Sequence, residues 1–321
     1  MTAGAHKVVA IGEAMLEMAP VGQGLYRRGF AGDTFNTAWH MAQLLGRAAS
    51  VGFATRVGQD SLSQGFLAEL RADGLDVSGI GLDPLRSLGL YLIELEGVER
   101  RFHYWRSASA ARALADDRAG LEAAVSGAAL IHFSGITLAI LSPGARQTLL
   151  SVLRAARAGG ARISFDPNIR PRLWASPAES RAAMRDFLTV TDIALPSFDD
   201  EAALWGDATP AVTVERYRNF GIAEIVVKDG AKPVHAFADG AAQVLATPEV
   251  PDACDTSGAG DAFNAGYLAA RLLRLGATLS LATGQALAAE VIRTYGARAE
   301  KARVAGLMPA RIAGEGGLAP L

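Results

Sequence analysis

The residues best suited to chemistry lie at positions 254–266, where a glycine-rich loop runs into a helix. Gly258, Ala259 and Gly260 are small, so their backbone N–H groups can approach a ligand without an intervening side chain. From Asp261 onward, apolar residues recur at helical spacing, which places the loop directly before a helix N-terminus. Unpaired N–H groups and the positive end of the helix dipole then face one point, which predicts an anion site beside a carboxylate.

Asp261 has two interpretations. An acidic residue in a first helical turn stabilises its helix by about 0.3–1 kcal/mol and needs no other role. Alternatively, Asp261 takes a proton from a hydroxyl group while the loop N–H groups hold an anion, an arrangement that phosphoryl transfer requires. The chain contains no G-x-x-x-x-G-K-[ST] run, so the loop is not a Walker A loop.

The run DTSGAGD that ends at Asp261 resembles the D-T-x-G-A-G-D motif of the ribokinase-like (PfkB) carbohydrate kinases. The resemblance implies that Asp261 is the catalytic base and that the amides of Gly258, Ala259 and Gly260 form the anion hole. It also implies ATP as the phosphate donor, held partly by Gly258 and Gly260, and Mg²⁺ as the cofactor.

Composition excludes several other classes of protein. Half of the 321 residues are hydrophobic and the net charge is −2, so we expect a large core and no nucleic-acid partner. The apolar stretch at 130–141 is too short to span a bilayer and no signal peptide is recognisable, so we expect no membrane partner. Cys254 is the only cysteine, which favours a reducing cytoplasm, and we expect its side chain to be buried.

Alternating strand and helix patterns predict an α/β fold, with a mainly parallel sheet and helices on both of its faces. Residues 88–106 differ, because their alternation is typical of a β-hairpin. The resemblance implies one ribokinase-like domain over 1–321, with the strands of a small β-sheet lid inserted at about 13–31 and 88–106. It also implies a homo-oligomer that forms through this lid.

A second glycine turn opens a helix that is predicted to end near position 45. It resembles the G-G-x-x-x-N run with which the family contacts its sugar, and this implies that Gly32, Asp33 and Asn36 bind the substrate. Ala31 stands where glycine is usual, so its methyl group either crowds the substrate or is accommodated. Without the resemblance, Asn36 is simply a polar residue near the start of a helix.

The end of the predicted hairpin is the most informative about the substrate. Tyr91, Tyr104 and Arg106 resemble the 2-keto-3-deoxygluconate kinase branch, which uses lid tyrosines and an arginine on its substrate. A sugar acid carries a carboxylate, which a planar guanidinium can bind through two hydrogen bonds. The alternative is an exposed strand with ordinary surface arginines.

Later strands also end in polar residues, and the carboxyl ends of parallel strands face the ligand crevice. The run DPNIR that ends at Arg170 resembles the D-x-N-x-R motif of the family. This implies that Arg170 contacts the substrate carboxylate or the transferring phosphate and that Asn168 helps to place the nucleotide phosphates. The run KDG resembles the K-x-G of the family, which implies that Lys228 and Gly230 lie near those phosphates.

The strand at 193–195 leads to Ser197, where the family usually has an N-x-x-E run that acts on hydrated Mg²⁺ and phosphate. We expect Ser197 to contact the nucleotide and either Asp200 or Glu201 to hold Mg²⁺ through water, because Mg²⁺ keeps several waters. Acidic residues that open a helix are also favourable in themselves.

These observations predict an ATP-dependent kinase that phosphorylates the primary hydroxyl of 2-keto-3-deoxygluconate. Two alternatives remain open. A kinase of a neutral sugar such as fructose would use the same fold, and only Arg106 and the lid tyrosines argue against it. A non-catalytic sugar-binding protein would also keep the fold, and the intact Asp261 and glycine loop argue against that.

Overall fold

The computed structural model describes residues 6–96 and 99–307. Both ends of the domain predicted over 1–321 lie outside these residues. No helix in the described part of the chain is long and apolar enough to cross a bilayer.

The strands and helices alternate along most of the chain. The strands are β1 (His6–Ile11), β2 (Met15–Gly22), β3 (Leu25–Ala31), β4 (Ala49–Val57), β5 (Ile80–Leu82), β6 (Gly89–Glu96), β7 (Glu99–Trp105), β8 (Leu130–Ser134), β9 (Arg162–Asp166), β10 (Ile193–Ala194), β11 (Glu224–Val227), β12 (Val234–Ala238) and β13 (Ala241–Leu245). The helices are α1 (Asp33–Leu45), α2 (Ser61–Ala72), α3 (Arg118–Val125), α4 (Gly135–Ile140), α5 (Pro143–Ala158), α6 (Pro177–Leu188), α7 (Phe198–Trp205), α8 (Pro210–Arg218), α9 (Ala259–Leu272), α10 (Ala277–Val291) and α11 (Lys301–Ala305).

The described strands form a large sheet and a small one. The large sheet has nine strands in the order β13-β12-β11-β10-β9-β8-β1-β4-β5. Its pairings from β11 to β5 are parallel, and β12 and β13 add an antiparallel hairpin at one edge. The predicted mainly parallel sheet is therefore confirmed.

Strand β1 shows why both faces of this sheet are covered. Val8 and Ala10 point into one hydrophobic core, whereas Val9 and Ile11 point into another. Helices α1, α2, α9 and α10 contribute to the first core, and α3, α5, α6 and α8 contribute to the second. A strand that is apolar at successive positions requires this arrangement, because neighbouring side chains project to opposite faces.

The small sheet, which we call the lid sheet, consists of β2, β3, β6 and β7 in the order β3-β2-β6-β7. Its hairpins are antiparallel, and β2 pairs with β6 in parallel. These strands lie within the segments at about 13–31 and 88–106 that the sequence analysis assigned to a lid. The methyl group of Ala31 belongs to a small apolar cluster of this sheet with Met15, Tyr91 and Ile93.

Candidate active site

The glycine loop meets the start of α9 in a conformation that requires glycine. Gly258 is the N-cap of α9 and has φ 72° and ψ 4°, a left-handed conformation that costs glycine little. A Cβ atom at Gly258 would lie 2.6 Å from the Cβ of Ala297. The N–H of Ala259 donates to the carbonyl of Thr256 at 3.2 Å, so this amide of the predicted anion hole already has an acceptor.

Asp261 lies in the first turn of α9 and is half-buried. Asn36 Nδ2 donates to Asp261 Oδ2 at 2.8 Å, and the Thr37 hydroxyl donates to the Asp261 carbonyl at 3.2 Å. Burial and the nearby Asp33 carboxylate raise the pKa of Asp261 to about 8, although the hydrogen bond from Asn36 opposes the rise. A carboxylate with such a pKa is an effective proton acceptor near neutral pH.

The start of α1 provides the neighbouring polar groups. Gly32 caps this helix, and a Cβ atom at Gly32 would lie 2.1 Å from the carbonyl oxygen of Glu13. Asp33 Oδ2 accepts a hydrogen bond from Asn168 Nδ2 at 2.7 Å, which joins α1 to the end of β9. Asn36 is buried, and its Oδ1 has no hydrogen-bond partner among the described residues. The site therefore offers an acceptor that suits a hydroxyl-rich ligand.

A buried trio of two charged side chains and one amide lies beside the glycine loop. Lys228 Nζ donates to Asp166 Oδ2 at 2.8 Å and to Asn264 Oδ1 at 2.9 Å, and Asn264 Nδ2 donates to Asp166 at 2.6 Å. Burial opposes ionisation of Asp166, but Lys228 and Asn264 outweigh it and lower the pKa of Asp166. A Cβ atom at Gly260 would lie 3.6 Å from Lys228 Nζ. The ammonium group thus adds positive charge next to the loop.

The other predicted nucleotide residues gather at the carboxyl ends of β9, β10 and β11. Asn168 adopts a left-handed φ of 34°, and its N–H donates to Asp166 at 3.0 Å. Ser197 forms a parallel β-bridge with Lys228, and Gly230 follows at a φ of 56°. Asp166 lies in the DPNIR run and Asn264 within positions 254–266, but neither residue was predicted to have a role.

The two predicted metal residues point in different directions. Asp200 Oδ2 accepts from the N–H of Ile169 at 3.0 Å and lies 3.5 Å from the exposed Arg170, so Asp200 joins the site. Glu201 is fully buried and accepts from Arg216 at 2.5 Å and from the Tyr217 hydroxyl at 3.0 Å. The structure thus holds Glu201 away from the other site residues, in an ion pair within the protein interior.

The surroundings of Asp200 fit a metal ion that keeps most of its water ligands. The described residues include no group of three or more histidine, cysteine, aspartate or glutamate side chains that could hold a metal. Mg²⁺ commonly binds through one or two carboxylates, several waters and substrate phosphates. Asp200 could therefore hold Mg²⁺ through water.

The lid sheet brings two tyrosines to the site. Tyr91 and Tyr104 are cross-strand partners with ring centroids 5.8 Å apart. The Tyr91 hydroxyl donates to Glu17, whereas the Tyr104 side chain is about half exposed. Burial and Glu17 raise the pKa of Tyr91, and the Asp261 carboxylate adds to this rise.

Arg106 follows β7 and forms an ion pair with Glu13, which the Ser109 hydroxyl also contacts. Burial raises the pKa of Glu13, and Arg106 and Ser109 oppose that rise. Glu13, Glu17 and Ser109 were not predicted from the sequence. Glu13 and Arg106 are 93 positions apart, and no local pattern indicates such a pair.

The prediction that Cys254 is buried is wrong, because its side chain is exposed. The backbone explains the difference: the N–H groups of Cys254 and Asp255 both donate to the carbonyl of Ile292. Asp255 is the buried residue of this pair, and its carboxylate accepts from the N–H of Gly296 at 2.7 Å.

Known proteins resemble this chain over most of its length. The family model described as pfkB family carbohydrate kinase matches residues 5–303. The 2-dehydro-3-deoxygluconokinase of Escherichia coli K12 is 39% identical over 298 residues, which cover 91% of this chain and 96% of the relative. The enzyme of the same name from Dickeya dadantii is 38% identical over 90% of this chain and 96% of its own. Probable fructokinase-2 of Arabidopsis thaliana is 29% identical over 80% of this chain and 78% of its own.

Solved structures share the fold. The crystal structure of a PfkB protein from Polaromonas sp. JS666 superposes with a TM-score of 0.81 and 30% identity, over 94% of this chain and 99% of that one. A 2-dehydro-3-deoxygluconokinase from Thermotoga maritima gives a TM-score of 0.82 at 22% identity, over 94% of this chain and 98% of that one. The chain belongs to the pfkB family of carbohydrate kinases.

Proposed function

We propose that this kinase phosphorylates the primary hydroxyl of 2-dehydro-3-deoxygluconate, which is 2-keto-3-deoxygluconate, with ATP as the donor. Several relatives that carry this name are 34–39% identical over most of the chain, and fructokinases are more distant. The observation that carries the proposal is the position of Asp261, at the glycine-rich start of α9 and bonded to Asn36.

Asp261 acts as the general base. It removes the proton from the primary hydroxyl while the sugar oxygen forms a bond to the γ-phosphorus and the bond from that phosphorus to ADP breaks. Asn36 fixes the direction of the carboxylate. The amides of Gly258, Ala259 and Gly260 stabilise the negative charge of the transferring group, and Ala259 releases its bond to Thr256 to do so.

The sugar acid lies between the start of α1 and the lid sheet. Arg106 binds the substrate carboxylate, since a guanidinium matches its geometry. The exposed Arg170 is a second cation near the reacting groups. Hydroxyl groups of the substrate contact the remaining residues of this side of the site, which are Gly32, Asp33, Asn36, Tyr91 and Tyr104.

The nucleotide lies along the ends of β9, β10 and β11, where it contacts Asn168, Ser197, Lys228, Gly230, Gly258 and Gly260. Lys228 contributes its charge from beside Gly260 while remaining bonded to Asp166. Mg²⁺, when bound through water to Asp200, neutralises charge on the phosphates. Glu201 would need to leave its pair with Arg216 to share this role.

We also propose that the enzyme works in the cytoplasm as a homo-oligomer that forms through the lid sheet. The exposed residues of this sheet include large apolar side chains, at Val21, Leu25, Tyr26 and Trp105. Such side chains are common at protein–protein contacts. Light scattering on the purified protein tests the oligomer, and a monomer at assay concentrations would contradict it.

The activity is tested by ADP release from purified protein with ATP and Mg²⁺, supplied with 2-dehydro-3-deoxygluconate, fructose or ribose. We expect turnover with the sugar acid and a product that is heavier by one phosphoryl group. Preferential turnover with fructose would support the neutral-sugar alternative. Absence of turnover with every sugar would support the non-catalytic alternative. Chelation of Mg²⁺ should stop the reaction, and added Mg²⁺ should restore it.

A further inference from the structure

Glu13 lies at the junction of the two sheets, in the segment between β1 and β2. Its side chain is 2% exposed, and its carboxylate accepts hydrogen bonds from Arg106 Nη2 and from the Ser109 hydroxyl. Its backbone carbonyl lies against Gly32, the N-cap of α1. Glu13 therefore contacts both the first helix of the site and the arginine of the lid sheet.

The bond to Glu13 holds one N–H group of the Arg106 guanidinium and leaves another without an acceptor in the described part of the chain. Nη2 is bonded to Glu13, whereas Nε is buried and has no hydrogen-bond partner among the described residues. The Tyr104 ring lies 5.9 Å from the guanidinium carbon. Because the N–H donors of arginine share a rigid plane, holding one of them sets the direction of the others.

The surrounding backbone is shaped to accept this pair. A Cβ atom at Gly89, the first residue of β6, would lie 3.1 Å from Glu13 Oε1 and 3.2 Å from Arg106 Cβ. A buried carboxylate is costly unless a cation and hydrogen bonds compensate it, and Arg106 and Ser109 supply both. Glu13 in turn restrains the Arg106 guanidinium, which is the group that would bind the carboxylate of a sugar acid.

We propose that Glu13 is a positioning residue that sets the orientation of Arg106 toward the carboxylate of the substrate, an inference that rests on the proposed function. Glu13 acts through Arg106 and does not itself contact the reacting atoms. Specificity for a sugar acid then depends on a residue of the β1–β2 segment as well as on the lid.

The test compares Glu13→Gln with the wild-type enzyme, because glutamine keeps the size of the side chain and removes its charge. We expect the KM for 2-dehydro-3-deoxygluconate to rise about tenfold, because the neutral glutamine side chain forms no ion pair with Arg106 and holds the guanidinium less firmly. The kcat and the KM for ATP should remain nearly unchanged. If the role of Glu13 were purely structural, Glu13→Gln would instead lower the melting temperature and leave this KM unchanged.

A double-mutant cycle with Arg106→Ala separates positioning from an independent effect. If Glu13 acts through Arg106, Glu13→Gln will not change kcat/KM for the sugar acid further in the Arg106→Ala background. Glu224→Gln is the matched control, because Glu224 is also buried and forms ion pairs, with Arg162 and Arg271. Glu224 begins β11, whereas the site lies at the carboxyl end of that strand. It should alter stability without changing the KM for either substrate.

The outcomes distinguish the two proposals. A wild-type enzyme that phosphorylates fructose but not the sugar acid would overturn the proposed function. A wild-type enzyme active on the sugar acid, with a KM that is unchanged or lower in Glu13→Gln, would overturn only the positioning role. Independent, multiplicative effects of the two substitutions on kcat/KM would overturn it as well.

Discussion

The side-chain amide of Asn36 donates a 2.8 Å hydrogen bond to the carboxylate of Asp261, across 225 positions of the sequence. Both residues lie near the N-termini of their helices, α1 and α9. The bond therefore brings the positive ends of two helix dipoles to one carboxylate, a favourable place for the negative charge of a transferring phosphoryl group.

Replacing Asp261 with asparagine should remove the base and keep the shape of the site. We expect kcat to fall by about 10²–10⁴-fold, the usual contribution of a general base. Binding of the sugar acid, measured by calorimetry without turnover, should persist. Near-normal turnover of Asp261→Asn would show that another group accepts the proton.

The rate should depend on pH through Asp261. Because the pKa of this residue is about 8, most of the free enzyme at pH 7 carries a protonated Asp261. We expect kcat/KM to rise with pH up to about 8 and then to level off. The Asp33 carboxylate contributes to the raised pKa, so Asp33→Asn should move this rise to lower pH. An unmoved profile would contradict the coupling of the two carboxylates.

The raised pKa of Asp261 also predicts how stability changes with pH. The folded protein holds this proton more tightly than the unfolded chain, whose pKa is near 3.8. The contribution of this proton to the free energy of unfolding is fully present below the pKa of Asp261 in the unfolded chain. It is lost as the pH rises through about 8. The melting temperature of Asp261→Asn should therefore rise relative to that of wild type as the pH increases from about 3.8 to about 8. A constant difference measured by calorimetry would argue against the raised pKa.

Gly258 should tolerate no side chain. Alanine there would adopt a left-handed conformation at a cost of about 1–2 kcal/mol, and its Cβ would also collide with Ala297. We expect Gly258→Ala to lower both stability and the affinity for ATP. Gly65 lies within α2 with open space around it, so Gly65→Ala is the matched control and should stabilise the protein by about 0.5–1 kcal/mol. Denaturant unfolding of the two variants tests this contrast.

Much of the fold could be predicted because its signals are local. The apolar run of β1, the glycines that precede α9 and the alternation at 88–106 are each visible within a few residues. The lid strands at about 13–31 were expected only from the resemblance to a known family. The location of Asp261 followed from one short motif. The pattern could not give the direction of an individual side chain, as Asp200 and Glu201 demonstrate: adjacent acidic residues at a helix start project to different surroundings.

The remaining features depend on contacts between distant parts of the chain. The pair of Glu13 and Arg106 joins the β1–β2 segment to the end of β7. The trio of Asp166, Lys228 and Asn264 joins a strand end, a loop and α9. The exposure of Cys254 follows from backbone bonds to the carbonyl that follows α10. None of these contacts has a local periodicity or spacing that a single sequence reveals.

The most direct test of this account is the kcat/KM for 2-dehydro-3-deoxygluconate and for fructose, measured in wild type, Arg106→Ala and the control Arg154→Ala on the surface of α5. Loss of a charged hydrogen-bonding partner should lower kcat/KM for the sugar acid by about 10–100-fold in Arg106→Ala. The rate with fructose, and both rates in Arg154→Ala, should stay unchanged. Efficient turnover of fructose that is indifferent to Arg106 would contradict the assignment of a sugar-acid substrate.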